Sequence, residues 1–220
     1  MKKHTSVWMI VPQTNLHVGN ESIVNFSVID KAIQRDATTG FPCINSSSLK
    51  GAIKEFLENE KFENIDIKDL FGSTKSDKNN SQKGSALFFD ATLLAIPEQR
   101  VGESSPYKLV CCKDEIENFK NKAKALGAEF TLDQNKWEEI EYKKFESLCS
   151  DDNLPIIARN CLENGESSNL WYEQVLPSQS VLATIIQTNN ADDLDVLNGA
   201  IVQIGANATI GYGYCKFIKL

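Results

Sequence analysis

The chain has 220 residues, of which 41% are hydrophobic and 24% charged, a composition that fits one globular domain with a sizeable core. It contains no run of 18 apolar residues, which excludes an obvious transmembrane helix, and the apolar run VWMIV near the start is too short for a signal peptide. The net charge of −7 argues against a generally basic surface, although the acidic residues concentrate in 58–155 and the first 57 residues are mildly basic.

The first 45 residues predict one strand and two connecting segments. Residues 5–12 alternate as a half-buried strand does, and a proline ends the pattern. Residues 22–30 mix apolar and polar side chains and are compatible with extended structure. Residues 38–42, with the sequence TTGFP, predict a turn.

The first helix is predicted over residues 47–60, and one of the serines at 46–48 is expected to cap it. Its apolar stripe at helical spacing consists of Leu49, Ile53, Phe56 and Leu57.

The middle of the chain predicts a mobile loop, a buried and bulged strand, a short strand and two helices, in this order at 72–85, 86–96, 108–112, 113–126 and 133–152. The end of the chain predicts a hairpin, a strand, a helix, a glycine-rich loop and a final strand, in this order at 155–176, 180–187, 191–204, 205–213 and 214–220. This order predicts an α+β protein in one domain, with a ferredoxin-like core, an antiparallel sheet and an insertion-rich middle at 60–155.

The six cysteines include no C-x-x-C pair, and the chain has two histidines, His4 and His17. This spacing argues against a structural zinc site. We expect reduced and mostly buried thiols in a cytoplasmic protein.

The start of the 47–60 helix carries Lys50 and Lys54 but no acid in its first turn. Lysine at this end opposes the helix dipole by roughly 0.3–1 kcal/mol. Two interpretations stay open. A phosphate can bind the first-turn amides, the serine hydroxyls and Lys50, or an exposed lysine is simply tolerated.

The loop GANATIGYG places Gly205, Gly211 and Gly213 around polar residues. Glycines allow backbone amides to form an anion-binding nest. The alternative is a helix C-cap followed by a tight turn, because the spacing matches neither a dinucleotide fingerprint nor a Walker loop.

Asp30, Arg35 and Asp36 form a charged group early in the chain. The common role of such a group is an ion pair. For catalysis, Asp30 would need a raised pKa or a bound divalent metal, since a free aspartate is a weak base at neutral pH. His17 is a candidate general acid or phosphate contact.

The 155–176 hairpin carries Arg159 on one arm and Trp171, Tyr172 and Glu173 on the other. Exposed aromatic residues on a hairpin can stack on or wedge between bases, whereas aromatic residues in strands more often pack on a core.

Five segments in this order resemble the RAMP superfamily of CRISPR effector proteins, and within it the repeated backbone subunit of type III-B complexes. The segments are TNLHVG (14–19), IDKAIQRD (29–36), TGFPCI with SSSLKG (39–51), NLWYE (169–173) and GANATIGYG (205–213). Three positions depart from the family pattern. Asn45-Ser46 replaces Pro-Gly, Lys31-Ala32 replaces Leu-Pro, and Gly205-Ala206 replaces Gly-Gly.

The resemblance implies an RRM-like palm with a protruding β-hairpin thumb at 155–176. It also implies guide RNA, single-stranded target RNA, further copies of the chain and other type III-B subunits as partners, with no membrane. Asp30 matches the cleaving aspartate, which would act with a divalent metal such as Mg²⁺, and Glu173 is a candidate accessory acid. The expected RNA contacts are His17, Lys31, Arg35, Ser46, Ser47, Ser48, Lys50, Lys54, Arg159, Trp171, Tyr172, Gly205, Gly211 and Gly213.

Two functions follow as alternatives: a metal-dependent endoribonuclease that cuts target RNA at regular intervals in antiviral defence, and a filament-forming RNA scaffold that does not cut. A repeat-processing endoribonuclease of the same superfamily fits less well, because those enzymes typically work as single units, often with a histidine.

Overall fold

The computed structural model describes residues 3–19, 29–62, 64–73 and 82–220. The segment 22–28 and most of the predicted mobile loop, 74–81, lie outside the described residues.

Within the described residues the protein has eleven strands and four α-helices. The strands are β1 (His4–Pro12), β2 (Cys43–Ile44), β3 (Leu87–Phe88), β4 (Ala91–Gln99), β5 (Tyr107–Cys111), β6 (Trp137–Glu139), β7 (Ile156–Glu163), β8 (Glu166–Gln174), β9 (Val181–Thr188), β10 (Ile201–Gln203) and β11 (Tyr214–Lys219). The helices are α1 (Ser46–Glu60), α2 (Ile67–Phe71), α3 (Lys113–Ala125) and α4 (Tyr142–Leu148).

The main sheet runs in the order β10-β11-β1-β9-β4-β5-β6, with β2 paired to β4 and β3 paired to β9. Its pairs are antiparallel, apart from β5 and β6, which are parallel. The central order β11-β1-β9-β4 is that of a ferredoxin-like fold, and the elements from β5 to β8 are inserted between its second and third strands. The α+β class and antiparallel sheet predicted from the sequence are confirmed.

Alternation along the strands gives the sheet two apolar faces. On one face, Leu49 and Ile53 of α1 pack with Trp8 and Ile10 of β1. On the other face, Phe119 of α3 packs in a cluster with Val7 and Leu94. Helices therefore cover both faces of the sheet. Successive residues of one strand, such as Val7 and Trp8, pack on opposite faces.

The predicted helix at 191–204 is wrong. The structure has a short 3₁₀ turn at Asp195–Leu197, and then β10 pairs with β11. Gly199 has φ +85°, which ends the turn. Val202 is buried while Ile201 is exposed, which is strand alternation. The apolar residues of 191–204 have helical spacing, but they belong to a turn followed by an edge strand.

Three other boundaries differ from the sequence prediction. The segment 133–152 divides into β6 and α4 rather than forming one helix. The segment 86–96 divides into β3 and β4, and the predicted bulge is present as a register shift between Leu93 and Ala95. The cap of α1 is Asn45 rather than a serine, and its side chain makes no capping hydrogen bond.

The predicted hairpin is present as β7 and β8, which form a two-stranded sheet of their own. Asn164 and Gly165 have φ of 52° and 86°, as a two-residue hairpin turn with positive φ at both positions requires. Leu162 and Leu170 near the tip are 63% and 53% exposed, so the tip projects into solvent. Cys161, on β7, is exposed, whereas the other five cysteines are buried.

None of the helices in the described ranges combines the length and apolar character needed to cross a membrane.

Candidate functional site

Asp30 is an exposed residue held against the base of the hairpin. The backbone amides of Asp30 and Lys31 donate to the carbonyl oxygen of Tyr172 at 3.0 and 3.1 Å. The amide of Tyr172 donates in return to Oδ2 of Asp30 at 2.7 Å. The amide of Gln174 donates to the carbonyl oxygen of Lys31 at 2.9 Å. The backbone therefore fixes this carboxylate beside β8 while leaving it open to solvent.

Glu173 is the next residue along β8, and its side chain is 1% exposed. Four donors reach its carboxylate: Lys31 Nζ at 3.0 Å, Arg159 Nη1 at 3.1 Å, Trp171 Nε1 at 2.8 Å and Asn207 Nδ2 at 2.9 Å. We call these five residues the Glu173 cluster. The donors come from the Asp30 segment, both hairpin arms and the glycine loop, so one carboxylate joins three parts of the chain.

The electrostatics of the Glu173 cluster correct one expectation. Burial acts to raise the pKa of Glu173, but hydrogen bonds from Trp171, Lys31 and Arg159 outweigh it and lower the pKa to about 2. Glu173 is therefore an anion at neutral pH and has no proton to donate. The geometry makes it a buried counter-ion, which differs from the accessory acid expected from the sequence.

Trp171 lies between two cations. Lys31 Nζ is 5.1 Å and Arg159 Cζ is 5.5 Å from the centre of its indole ring. These distances are typical of cation–π contacts. Because Trp171 and Arg159 are opposite each other in the hairpin ladder, they share one face, whereas Tyr172 points to the other face. Trp171 therefore belongs to the Glu173 cluster, and Tyr172 faces away from it.

A second group of predicted residues lies at the start of α1. The amide of Ser46 donates to Oδ1 of Asp90 at 2.6 Å, so an acid from the β3–β4 connection neutralises this helix end. The first turn itself contains no acid, as the sequence indicates, and the compensating carboxylate comes from Asp90. Ser46, Ser47 and Lys50 line a cavity of about 430 Å³ together with Lys83. Lys54, one turn later, pairs with Glu58 at 3.5 Å.

Gln34, which the sequence did not single out, organises the same region. Its Oε1 accepts from the amide of Asn45 at 2.8 Å, and its Nε2 donates to Ser48 Oγ at 3.0 Å and to the carbonyl oxygen of Gly19 at 3.2 Å. Ser48, Gly19 and Gly205 line one groove of about 270 Å³. The fold thus brings the serine motif and the glycine loop to one groove.

The glycine loop is shaped by close backbone approaches. A Cβ on Gly205 would lie 2.3 Å from the carbonyl oxygen of His17, and a Cβ on Gly213 would lie 2.0 Å from that of Ile204. Either contact is a steric clash, so both positions require glycine. The amides of Ala206 and Gly213 donate to the carbonyl oxygens of His17 and Asn15, both at 2.9 Å. These donors serve the fold rather than an anion nest.

His17 and Arg35 occupy structural positions, which differs from the predicted surface contacts with RNA. His17 is 3% exposed, and its Nδ1 lies 2.7 Å from the carbonyl oxygen of Gln174, which makes Nδ1 the donor. Arg35 donates to Asp151 at 2.7 Å and to the carbonyl oxygens of Gly40 and Cys149, both at 2.8 Å. The predicted pairing of Arg35 with Asp30 or Asp36 is replaced by the pair with Asp151.

The structure offers few protein ligands for the divalent metal ion expected from the sequence. Among the described residues, no group of three or more His, Cys, Asp or Glu side chains is arranged to hold a metal ion. Asp30 is an exposed carboxylate at the hairpin base, Asp151 pairs with Arg35, and Glu173 is bound by its four donors. Since Mg²⁺ often binds through one or two carboxylates, substrate phosphates and water, Asp30 fits such a site only when RNA supplies the other ligands.

Comparison with known proteins agrees with this arrangement of palm, hairpin and glycine loop. The model of the RAMP superfamily matches residues 10–216. The chain belongs to the RAMP superfamily.

Two relatives of the chain within this superfamily are Cmr4 proteins. The chain is 27% identical to the CRISPR system Cmr endoribonuclease Cmr4 of Pyrococcus furiosus, over 92% of this chain and 91% of that protein. It is 40% identical to the CMR subunit Cmr4 of Saccharolobus solfataricus over 41% of this chain and 28% of that protein.

Solved structures share the fold. A chain of the type III-B Cmr-β complex bound to cognate target RNA matches with a TM-score of 0.80 at 20% identity, over 98% of this chain and 97% of that chain. Oligomeric Cmr4 from Pyrococcus furiosus matches with a TM-score of 0.73 at 20% identity, over 100% and 99% of the two chains. This RAMP protein is therefore Cmr4-like in sequence and fold.

Proposed function

We propose that this chain is a backbone subunit of a type III-B CRISPR effector complex that binds guide RNA, stacks with further copies and cuts complementary target RNA at regular intervals. The observation that carries the proposal is the exposed Asp30 carboxylate, fixed by Tyr172 at the base of a projecting hairpin. Support comes from the likeness to a Cmr4 endoribonuclease over 92% of the chain.

The described residues divide the work between two regions. The groove of Ser48, Gly19 and Gly205, with the cavity beside Lys50, offers hydroxyl, backbone and cationic groups to the guide backbone. The base of the hairpin contacts the glycine loop that lines the groove, so a guide–target duplex lying along the groove would meet the hairpin at its base, where Asp30 lies. Regular stacking would repeat this meeting point along the target.

Cleavage is proposed to proceed by attack of a target 2′-hydroxyl on the adjacent phosphate. Asp30 would accept a hydrogen bond from that hydroxyl and hold it in line. Water would take the hydroxyl proton and protonate the leaving 5′-oxygen. The ammonium of the adjacent Lys31, which pairs with Glu173, adds positive charge to this region. A divalent metal, with Mg²⁺ as the proposed ion, would be bound by Asp30 together with RNA oxygens and would stabilise the developing charge. The products would be a cyclic phosphate and a 5′-hydroxyl.

The test is cleavage of end-labelled target RNA by the assembled complex carrying Asp30→Ala or Asp30→Asn. We expect cutting to be lost in both variants, with the affinity for guide and target retained. Asp114→Ala changes an exposed aspartate in the first turn of α3 and serves as the matched control. Continued cutting at the same positions by the Asp30 variants would exclude Asp30 as the cleaving residue.

A scaffold that does not cut is the second candidate, and one observation favours it. Glu173, the acid next to the hairpin aromatic residues, is committed to its four donors and is not available as a second acid beside Asp30. Incubation of wild-type complex with target RNA, with magnesium or with chelator, separates the two. Target RNA left intact in magnesium would establish the scaffold, whereas cutting that stops in chelator would establish the metal-dependent nuclease.

A further inference from the structure

Asn207 connects the glycine loop to the hairpin base. Its Nδ2 donates to Oε2 of Glu173 at 2.9 Å, and the other oxygen of Glu173 accepts from Lys31, the residue after Asp30. Two side-chain hydrogen bonds therefore lead from the loop to the segment that carries the Asp30 carboxylate. The groove formed by Ser48, Gly19 and Gly205 adjoins the same loop.

We propose that Asn207 is a positioning residue, which through Glu173 couples occupation of the glycine loop to the placement of Asp30. The inference rests on the proposed function, because it concerns where Asp30 lies relative to the target. It assigns to the loop a role in cutting in addition to any role in binding.

The residue type at 207 fits this role. Asn207 has φ 68°, a left-handed conformation that asparagine tolerates better than most residues. Its side chain is a neutral amide that can donate to Glu173. An aspartate has the same shape but offers only acceptors when ionised, and it would place a second negative charge within hydrogen-bond distance of Glu173.

A purely local role in the turn can be separated from this coupling. The carbonyl oxygen of Asn207 accepts from the amides of Ile210 and Tyr212 at 3.1 and 3.2 Å. These bonds belong to the backbone, so they persist in Asn207→Asp and in Asn207→Gly, and glycine also accepts the positive φ without strain. Only the bond to Glu173 is lost in both variants.

The experiment measures single-turnover cleavage and binding by assembled complexes with saturating guide RNA. We expect Asn207→Asp to lower the cleavage rate of bound target by roughly ten- to a hundredfold, because small displacements of a reacting group have effects of this size. Asn207→Gly should lower it less, since it adds no charge. The dissociation constants for guide and target should stay within about twofold of wild type.

The matched control exchanges the two partners. The double variant Asn207→Asp with Glu173→Gln keeps the net charge and reverses the hydrogen bond, because glutamine can donate to aspartate. It should cut faster than either single variant. A second readout is hydrogen exchange at the Tyr172 amide, which is bonded to Asp30 and should exchange faster in Asn207→Asp.

Each outcome decides the matter. Wild-type rates in Asn207→Asp would overturn the coupling and leave the nuclease assignment intact. A rate that falls in parallel with guide affinity, or a double variant slower than both single variants, would reduce Asn207 to a structural role. A wild-type complex that does not cut would overturn the proposed function and this inference together.

Discussion

Glu173 and Asp30 are two carboxylates at the hairpin base with opposite environments. Asp30 is exposed and its hydrogen bond comes from a backbone amide, whereas Glu173 is buried under two cations, an indole and an amide. The buried carboxylate sets the geometry, and the exposed one is available for chemistry. Glu173 cannot take the role of Asp30, because both of its oxygens accept from other side chains and it is closed to solvent.

Glu173 predicts a pH dependence of stability. Its folded-state pKa is about 2, below the ordinary value of 4.5. A lowered pKa means that the stabilisation is fully present above about pH 4.5 and is lost as the pH falls toward 2, with a contribution of about 3 kcal/mol. We expect the free energy of unfolding of Glu173→Gln to lie below that of wild type at pH 7.

The measurement is urea unfolding of wild type and Glu173→Gln between pH 7 and pH 3. The difference between the two should shrink as the pH falls below 4.5. Glu163→Gln, at the exposed hairpin tip, is the matched control and should follow wild type throughout. A constant difference between wild type and Glu173→Gln down to pH 3 would contradict the buried ion-pair arrangement.

Residue-scale contacts were the least accessible to sequence analysis. The NLWYE motif drew attention to Glu173 and its neighbours, but the motif does not show that Tyr172 binds Asp30, because the two residues are 142 positions apart. Asp90 and Gln34 gave no local signal, since each acts on the start of α1 from another part of the chain. Asn207 was not singled out either, although asparagine in a glycine-rich loop is a recognised sign of positive φ.

At the scale of elements, α1 has its two early lysines in different environments. Lys50 lines the cavity beside Ser46 and Ser47, whereas Lys54 is paired with Glu58. If a guide phosphate binds at this helix end, Lys50 contributes to binding and Lys54 contributes much less.

We therefore expect Lys50→Ala to weaken guide binding and to reduce the slope of log K against log salt by about 0.7, the value for one phosphate contact on a single strand. Lys54→Ala is the matched control and should leave the slope nearly unchanged. The measurement is fluorescence anisotropy with labelled guide RNA over a salt series. Equal salt slopes in wild type and Lys50→Ala would show that no guide phosphate contacts Lys50 at this helix end.

Elements with a local physical cause were predicted well. The apolar stripe of α1, the helix predicted at 113–126 and the hairpin predicted at 155–176 are all present, and glycines with positive φ follow α3 and form the hairpin turn. The failure at 191–204 has a tertiary cause, because β10 is a strand only through its ladder with β11. Propensity and spacing do not show which partner a short segment will meet.

At the scale of the whole molecule, the hairpin is separable from the palm. Its strands form their own sheet, its tip is exposed, and its contacts with the body lie at the base around Glu173. The ferredoxin-like core was anticipated from the predicted order of elements, although the helix predicted at 191–204 is absent. The position of the hairpin relative to Asp30 was implied by resemblance alone.

Joining Asn160 to Leu170 through an Asn-Gly turn should shorten the hairpin while keeping Arg159, Trp171 and Glu173. We expect the melting temperature to change by only a few degrees, because the removed residues are exposed. Guide binding should persist, and cutting of target at the regular positions should fall. The full-length hairpin with Leu162→Ser is the control for loss of one exposed apolar side chain.

Circular dichroism melting and target cleavage by the assembled complex provide the two measurements. A large loss of melting temperature would show that the tip contributes to the core. Unchanged cutting positions would mean that the hairpin does not set the spacing.

The exposed thiol of Cys161 gives the native chain a single reporter position. Burial raises the pKa of the Cys43, Cys149 and Cys215 thiols to about 12 and that of Cys111 to about 11, which protects them from maleimides at neutral pH. A spin label or fluorophore would therefore attach to the hairpin without any substitution. In an assembled complex, distances between labels on successive copies would give a direct ruler for the subunit repeat.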